Sequence, residues 1–194
     1  PLLVPPGCTR FAPGAFRVSN QGMEILATLE GASIARATRE HIPTIERLLA
    51  DDPTSPEHVA TTTLISDEVL GPTPVDSDLV AAFDRIDSDP NQDLLVVIDD
   101  YDRIIGTLQL SFVTTMARGG GIRAFVSGAR IRAGADSIEV GKEVFSWTVK
   151  YAKSRGARVL MVTTDKDRAH IHGFFTTMGF RASHDALTLS LCQK

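Results

Sequence analysis

The sequence has few of the residues that build stapled or metal-dependent folds. It contains only 2 cysteines, Cys8 and Cys192, at opposite ends of the chain. Neither belongs to a C-x-x-C pair or to another spacing typical of metal ligands. This scarcity argues against a disulfide framework and against a zinc site, and it leads us to expect a protein of the reducing cytoplasm.

Long apolar runs and a surplus of positive charge are also missing. No purely apolar run is longer than that of residues 94–98, whereas a membrane-spanning helix needs roughly 20 such residues. The amino terminus lacks the basic start and the apolar core of a secretory signal. The net charge is −4 and no run of lysine and arginine is present. We therefore expect neither a membrane nor a nucleic acid as a partner.

What the sequence does contain is the hydrophobic periodicity of one α/β domain. Its 194 residues are 43% hydrophobic, enough for one substantial core. Apolar residues at helical spacing and β-rich runs alternate along the chain. They predict helices near 42–49, 77–86, 138–154 and 167–178, and strands at 33–37, 94–98, 104–114, 122–131, 158–164 and 187–191.

The two remaining segments show little periodicity. Residues 1–32 contain Pro5-Pro6-Gly7 and Pro13-Gly14 and are predicted to form an irregular extension before a domain at 33–194. Within this extension Met23 is a candidate internal start. Residues 54–75 are rich in Thr, Ser, Pro and Asp, which indicates a loop with some helix near 58–64.

A junction between a predicted strand and a predicted helix, at residues 130–142, carries the most chemical information. A helix N-terminus attracts anions because its first N–H groups lack partners within the helix and the helix dipole is positive there. Asp136 and Glu139 have the D-x-x-E spacing of a capping box, in which the protein's own carboxylates occupy those donors. The function of the protein therefore depends on whether an anionic ligand can still bind this helix N-terminus.

Several short motifs occur in an order that is informative as a set. They are Asp89–Gln92 (DPNQ), Gly106–Leu110 (GTLQL), Thr164–Arg168 (TDKDR), Ala169–Phe175 (AHIHGFF) and Met178–Phe180 (MGF). With them, the chain from about Ser33 to Leu191 resembles the GNAT acyltransferase superfamily, whose members use acyl-CoA to acylate an amine. The resemblance implies an α/β fold with a mixed sheet that is flanked by helices and splays open between its fourth and fifth strands.

The resemblance also implies an acyl-CoA site. A splay leaves strand N–H and C=O groups unpaired, and the pantetheine arm of acetyl-CoA could satisfy them between 129–133 and 160–164. The diphosphate would bind at the turn 137–142, and Arg168 and His172 would approach the adenosine or phosphate end. Arg168 could equally pair with a neighbouring aspartate. The implied cofactor-binding residues are Ala129, Ile131, Arg132, Ala133, Ser137, Ile138, Glu139, Val140, Gly141, Lys142, Thr164, Arg168 and His172.

The phosphate-binding loop departs from the family pattern. Arg/Gln-x-x-Gly-x-Gly/Ala falls on residues 136–141, where only Gly141 matches. Asp136 and Glu139 place negative charge where the diphosphate would approach, at a cost of about 1 kcal/mol or more per contact. This predicts weakened or lost CoA binding. The alternative is that the neighbouring Ser137, Lys142 and Arg132 compensate.

Two positions that carry proton transfer in the family are also changed. An acidic residue on the fourth strand, the natural base for the amine, is replaced by Ser127, and a serine without an activating group is a poor base. The tyrosine that protonates the departing thiolate is replaced by Phe175, which has no proton to give. A transferase with these residues would depend on positioning an amine that is already neutral.

Other charged clusters leave further alternatives. His170 and His172 are two residues apart on a predicted helix, so a shared metal site is not expected. Asp99, Asp100 and Asp102 suit either a turn or the attraction of a cationic amine. An anionic ligand other than CoA could bind the arginines near the Gly119–Gly121 turn, which are Arg118, Arg123, Arg130 and Arg132.

Three functions follow from these observations. The first is an acyl-CoA-dependent N-acyltransferase in which a small amine attacks the thioester directly. The second is a binding or regulatory module that keeps the GNAT fold without CoA. The third is an enzyme that uses the cleft for a different reaction in a specialised biosynthetic pathway. A small-molecule substrate is expected, and a homodimer is expected by analogy alone.

Overall fold

The computed structural model describes residues 17–18, 23–50, 76–132, 137–164, 169–189 and 191. The strands are β1 (Arg17–Val18), β2 (Glu24–Leu29), β3 (Ala32–Arg36), β4 (Gln92–Asp99), β5 (Ile104–Thr115), β6 (Gly121–Ile131) and β7 (Ala157–Val162). The helices are α1 (Ile42–Ala50), α2 (Ser77–Asp87), α3 (Ala117–Gly120), α4 (Ser137–Ser154) and α5 (Ala169–Thr177), and a 3₁₀ turn, Arg39–His41, precedes α1.

The strands form one sheet in the order of the chain, from β1 to β7. Each strand from β1 to β5 pairs antiparallel with the next. The connection from β6 to β7 contains helix α4, and such a crossover typically joins parallel strands. The fold is therefore α/β with a mixed sheet flanked by helices, as predicted.

The chain divides into two compact units at Met161 and Val162. In the first unit, residues of β4 point alternately to the two faces of the sheet. Val96 and Ile98 pack in one cluster with Ile42 of α1 and Phe83 of α2. The intervening residues of β4 face α4. The second unit contains α5 and the segment that follows it.

Local signals in the sequence explain the start of α2 and the end of α4. Helix α2 begins after Asp76, whose side chain accepts a hydrogen bond of 2.9 Å from the backbone N–H of Asp78. Aspartate is one of the residues preferred at this position, because its side chain satisfies a backbone N–H of the first turn. Helix α4 ends at Ser154, before Gly156 with a φ of 82°, which fits a glycine C-cap.

Two predictions about secondary structure were wrong. Residues 187–191 are not a strand, since residues 180–189 and 191 have neither helical nor strand conformation, and Leu187 is 95% exposed. The alternating leucines have the pattern of a half-buried strand but lie on no sheet in the described part of the chain. Residues 24–29, expected to be irregular, form β2. Its residues are mostly half-buried on both faces, so its sequence has no alternation to detect. The predicted helix near 58–64 lies outside the described residues.

Candidate functional site

An irregularity in β6 lies at the centre of the candidate site. Thr107 of β5 opposes Arg130, whereas Gln109 opposes Ser127, so β6 has one extra residue between these pairs. Gly128 has a φ of +56°, a left-handed conformation that favours glycine. Such a β-bulge leaves backbone groups outside the ladder and is common next to active sites.

The chain is closely packed on both sides of this bulge. A Cβ atom on Gly128 would lie 3.2 Å from Leu49 Cδ2 at the end of α1. A Cβ atom on Gly106, on β5, would lie 2.8 Å from the backbone oxygen of Arg130. Beyond the bulge the pairing resumes, and the N–H of Arg132 donates to the oxygen of Ile105 at 2.7 Å. The absence of a side chain at Gly128 and at Gly106 therefore allows the bulge to pack closely against α1 and β5.

Polar side chains extend from the bulge across the sheet on the face of α1 and α2. Gln109 Nε2 donates to Gln92 Oε1 at 2.8 Å, and Gln92 Nε2 donates to Asp89 Oδ2 at 3.1 Å. Hydrogen bonds from the backbone N–H of Asn91 and from the Gln92 amide lower the pKa of Asp89. Ser127, opposite Gln109, is exposed. We call Ser127, Gln109, Gln92 and Asp89 the polar row.

The sequence analysis missed the polar row. Three of its residues lie in the two motifs Asp89–Gln92 and Gly106–Leu110, which were used only to recognise the family. A glutamine between two leucines on a strand was the available signal, because a polar side chain facing a helix layer needs hydrogen-bond partners.

The N-terminus of α4 shows how one of the two acidic residues is accommodated. Glu139 Oε1 accepts a hydrogen bond of 2.8 Å from Lys142 Nζ, and both side chains are largely exposed. Asp136 and Ala133 lie outside the described residues, so the capping box stays a prediction. Lys142, one of the residues in the compensating alternative, therefore forms an ion pair with Glu139, while that alternative itself stays a prediction. An exposed pair of this kind contributes at most about 1 kcal/mol and opens readily.

The other predicted site residues fall into both units. In the first, Ala129, Ile131, Ser137 and Val140 are half-buried, Gly141 is buried, and Arg132 and Ile138 are exposed. In the second, Thr164 and His172 are half-buried. Phe175 is buried and packs edge-on against Phe174 and Phe180, each with ring centroids 5.3 Å away. Arg168 lies outside the described residues.

A second charged cluster surrounds Asp93, a buried residue of β4. Its carboxylate accepts hydrogen bonds from Arg36 Nη1, from Tyr151 Oη at 3.0 Å and from Arg155 Nη1 at 2.8 Å. Burial and the charge of Asp93 raise the pKa of Tyr151. Burial opposes the charge of Arg36, yet its bonds to Asp93 and Glu24 raise its pKa overall. Since both oxygens of Asp93 are bonded, we assign this cluster a structural role.

The residues that the structure describes contain neither a candidate metal site nor a candidate membrane-spanning helix. No group of three His, Cys, Asp or Glu side chains among them could hold a metal ion. None of their helices has the length and apolar character needed to cross a bilayer.

The family of the chain follows from a match to a known protein family. Residues 56–180 match the acetyltransferase (GNAT) family. This range covers more than half of the chain and includes β4, β5, the bulged β6 and α4. The protein belongs to the GNAT acetyltransferase family. Among proteins with curated descriptions, no significant match is found.

Solved structures show the same fold. A transcriptional regulator from Bacillus halodurans C-125 has a TM-score of 0.70 and 28% identity over 82% of this chain and 99% of that chain. Glucosamine-6-phosphate N-acetyltransferase from Arabidopsis thaliana has a TM-score of 0.60 and 14% identity, over 83% and 99% of the two chains. An aminoglycoside 6'-N-acetyltransferase from Acinetobacter baumannii has a TM-score of 0.59 and 12% identity, over 84% and 100%. The last two show similarity of fold alone.

Proposed function

We propose that the protein is an acyl-CoA-dependent N-acyltransferase in which a small amine attacks the thioester directly. The observation that supports this most is the bulge of β6 at Gly128, beside the exposed Ser127, in a chain of the GNAT family. The bulge offers backbone groups where an amide-bearing arm would lie. The exposed Ser127 and the half-buried Gln109 beside it would offer polar contacts to a second substrate.

The residues of the first unit fit CoA in part. The backbone of Ala129–Arg132 would bind the pantetheine arm. In the second turn of α4, the buried Gly141 presents no side chain, and Lys142 would supply a positive charge to the diphosphate. Glu139 opposes this binding, and its ion pair with Lys142 reduces the repulsion. We therefore expect CoA to bind, with an affinity that the carboxylate lowers.

The chain contributes positioning rather than proton transfer to the reaction. Bound acyl-CoA would supply the thioester, whose C–S bond is replaced by a C–N bond while the nitrogen loses one proton and the sulfur gains one. Neither Ser127 nor Phe175 exchanges that proton readily, so water would accept and return it. The amine must arrive neutral, and the rate should rise with pH until the amine is fully deprotonated.

Calorimetry with acetyl-CoA tests the proposal. We expect a micromolar Kd for the native protein, and a Kd lower by about fivefold for Glu139→Gln, since one repulsion of about 1 kcal/mol is removed. Glu40→Gln is the matched control, because Glu40 is an exposed glutamate in the 3₁₀ turn. This turn lies at the end of the β3–β4 pair that is opposite to the N-terminus of α4. Its Kd should equal that of the native protein. No binding at millimolar acetyl-CoA would refute the proposal.

A second candidate is a regulatory module that does not use CoA. It is favoured by the 28% identity to a protein described as a transcriptional regulator. An absence of acetyl-CoA binding in native protein and in Glu139→Gln alike would support this candidate. For either function we propose that the protein is cytoplasmic and binds a small molecule. We also propose a homodimer, which size-exclusion chromatography would test.

A further inference from the structure

The hydrogen bonds of the polar row determine the orientation of every amide in it. The Asp89 carboxylate can only accept, so Gln92 must turn its Nε2 toward it. Gln92 Oε1 then faces β5 and accepts from Gln109 Nε2 at 2.8 Å. Amide orientations are often ambiguous, but here the chain of donors and acceptors begins at a charged group. The lowered pKa of Asp89 keeps that group ionised.

The last amide of the row consequently presents an oxygen to the bulge. Gln109 Nε2 donates to Gln92 of β4, and since the oxygen and nitrogen of a planar amide diverge from the same carbon, the oxygen is directed away from that bond, to the β6 side of β5. Within the described part of the chain, Gln109 Oε1 makes no hydrogen bond, and it is not among the buried polar atoms that lack a partner. It is therefore an open acceptor, next to the exposed Ser127 and one residue from Gly128 in the ladder.

We propose that Gln109 Oε1 accepts a hydrogen bond from the N–H of the acceptor amine, and that Gln92 and Asp89 are positioning residues that hold this oxygen in place. This inference rests on the proposed acyltransferase function. It assigns the substrate to amines that keep one N–H after the proton of the reaction is lost, that is, primary amines. The Ser127 hydroxyl beside it suits a substrate with a nearby hydroxyl or amide group.

An amide suits this task better than a carboxylate would. A carboxylate stabilises the protonated ammonium and raises the pKa of the amine, whereas a neutral amide oxygen has a weaker effect. A chain without an acid on β6 to remove the proton therefore gains from holding the amine through a neutral acceptor. Replacing Gln109 by Glu should reveal this difference as a shift of the pH dependence toward higher pH.

The test uses two stable conjugates that need no knowledge of the natural amine. One is CoA whose sulfur carries a CH₂–CO–NH–butyl group, and the other is its N-methyl analogue, which lacks the N–H. Calorimetry should show that the native protein binds the N–H conjugate about fivefold more tightly than the N-methyl conjugate, as expected for one net hydrogen bond. Gln109→Leu should bind both equally, with unchanged affinity for acetyl-CoA.

Two further variants test whether Gln92 holds the Gln109 side-chain oxygen in position. Gln92→Leu removes the partner of Gln109 and should reduce the preference to about twofold or less. Ser111→Ala is the matched control, since Ser111 lies two residues along β5 and its hydroxyl is 3.5 Å from Gln92 Oε1. Its preference should match that of the native protein.

The outcomes distinguish this inference from the proposed function. If acetyl-CoA binds but the native protein does not distinguish the conjugates, the role of Gln109 is refuted and the acyltransferase proposal survives. If Gln109→Leu retains the preference, the role of Gln109 is likewise refuted. If neither acetyl-CoA nor the conjugates bind, the acyltransferase proposal fails and the role of Gln109 fails with it.

Discussion

Replacing Asp93 by Asn should destabilise the protein strongly while leaving its shape intact. Asp93 is 2% exposed and is the common partner of Arg36, Tyr151 and Arg155. Asparagine has almost the same volume, so no cavity forms. It lacks the negative charge, however, and its NH₂ group would face a guanidinium group. The variant therefore isolates the electrostatic part of the cluster.

The size of the effect follows from burial. Removing one partner of a buried ion pair costs about 3–5 kcal/mol, because the remaining charge is left uncompensated. The side chains of Arg36 and Arg155 are 33% and 31% exposed, so water recovers part of this loss. We expect a decrease of about 2–4 kcal/mol in the free energy of unfolding for Asp93→Asn. The exposed pair of Arg39 with Asp84 should contribute less than about 1 kcal/mol.

Urea unfolding measures this difference. The only tryptophan, Trp147, stacks on Tyr151 with ring centroids 4.8 Å apart, so its fluorescence reports on the cluster while circular dichroism reports on the whole fold. Asp84→Asn is the control, and its small effect should vanish at about 1 M salt, where exposed pairs are screened. A loss for Asp93→Asn no larger than for the control would refute the reasoning.

Two other residues give predictions about stability. Burial lowers the pKa of His41, whose Nδ1 accepts a 3.0 Å hydrogen bond from the Thr38 N–H. The unfolded chain then binds more protons than the folded one, so stability that is present above about pH 6.5 is lost as the pH falls. His41→Asn should therefore flatten the dependence of the unfolding free energy on pH, as measured by urea titrations at several pH values. An unchanged pH dependence would contradict this prediction. Gly106→Ala should cost about 1–3 kcal/mol through its contact with the Arg130 oxygen, whereas Gly173→Ala, with no atom within 4 Å, should not destabilise. Equal melting temperatures of Gly106→Ala and Gly173→Ala would contradict the second prediction.

The fold was largely predictable because its main signals are local. Helix α2 was visible from its cap at Asp76 and its apolar spacing, and the β4–β5 hairpin from two β-rich runs around an aspartate-rich turn. The leucines at 187–191 were misleading because alternation shows only that a strand could form. Whether a sheet edge is available for it depends on the rest of the chain.

The site was less predictable because its geometry depends on register. Ser127 was recognised from the family, but its position opposite Gln109 results from the register of the β5–β6 hairpin. The bulge at Gly128 shifts only the pairs beyond it, such as Thr107 with Arg130, and a glycine in a strand does not show that shift. The Asp93 cluster joins β3, β4 and the end of α4, which are distant in the sequence. The pairing of Glu139 with Lys142 was, by contrast, accessible from their spacing along one helix.

The order of the strands has a consequence for how the chain folds. Most neighbouring strands are joined by short turns, so their pairing closes small loops quickly. The pairing of β3 with β4 is different, since residues 37–91 lie between them. Closing this longer loop costs about 2 kcal/mol more conformational entropy than closing a hairpin. We expect the association of the β2–β3 hairpin with the β4–β6 meander to limit the folding rate, so that shortening the α1–α2 connection would accelerate folding.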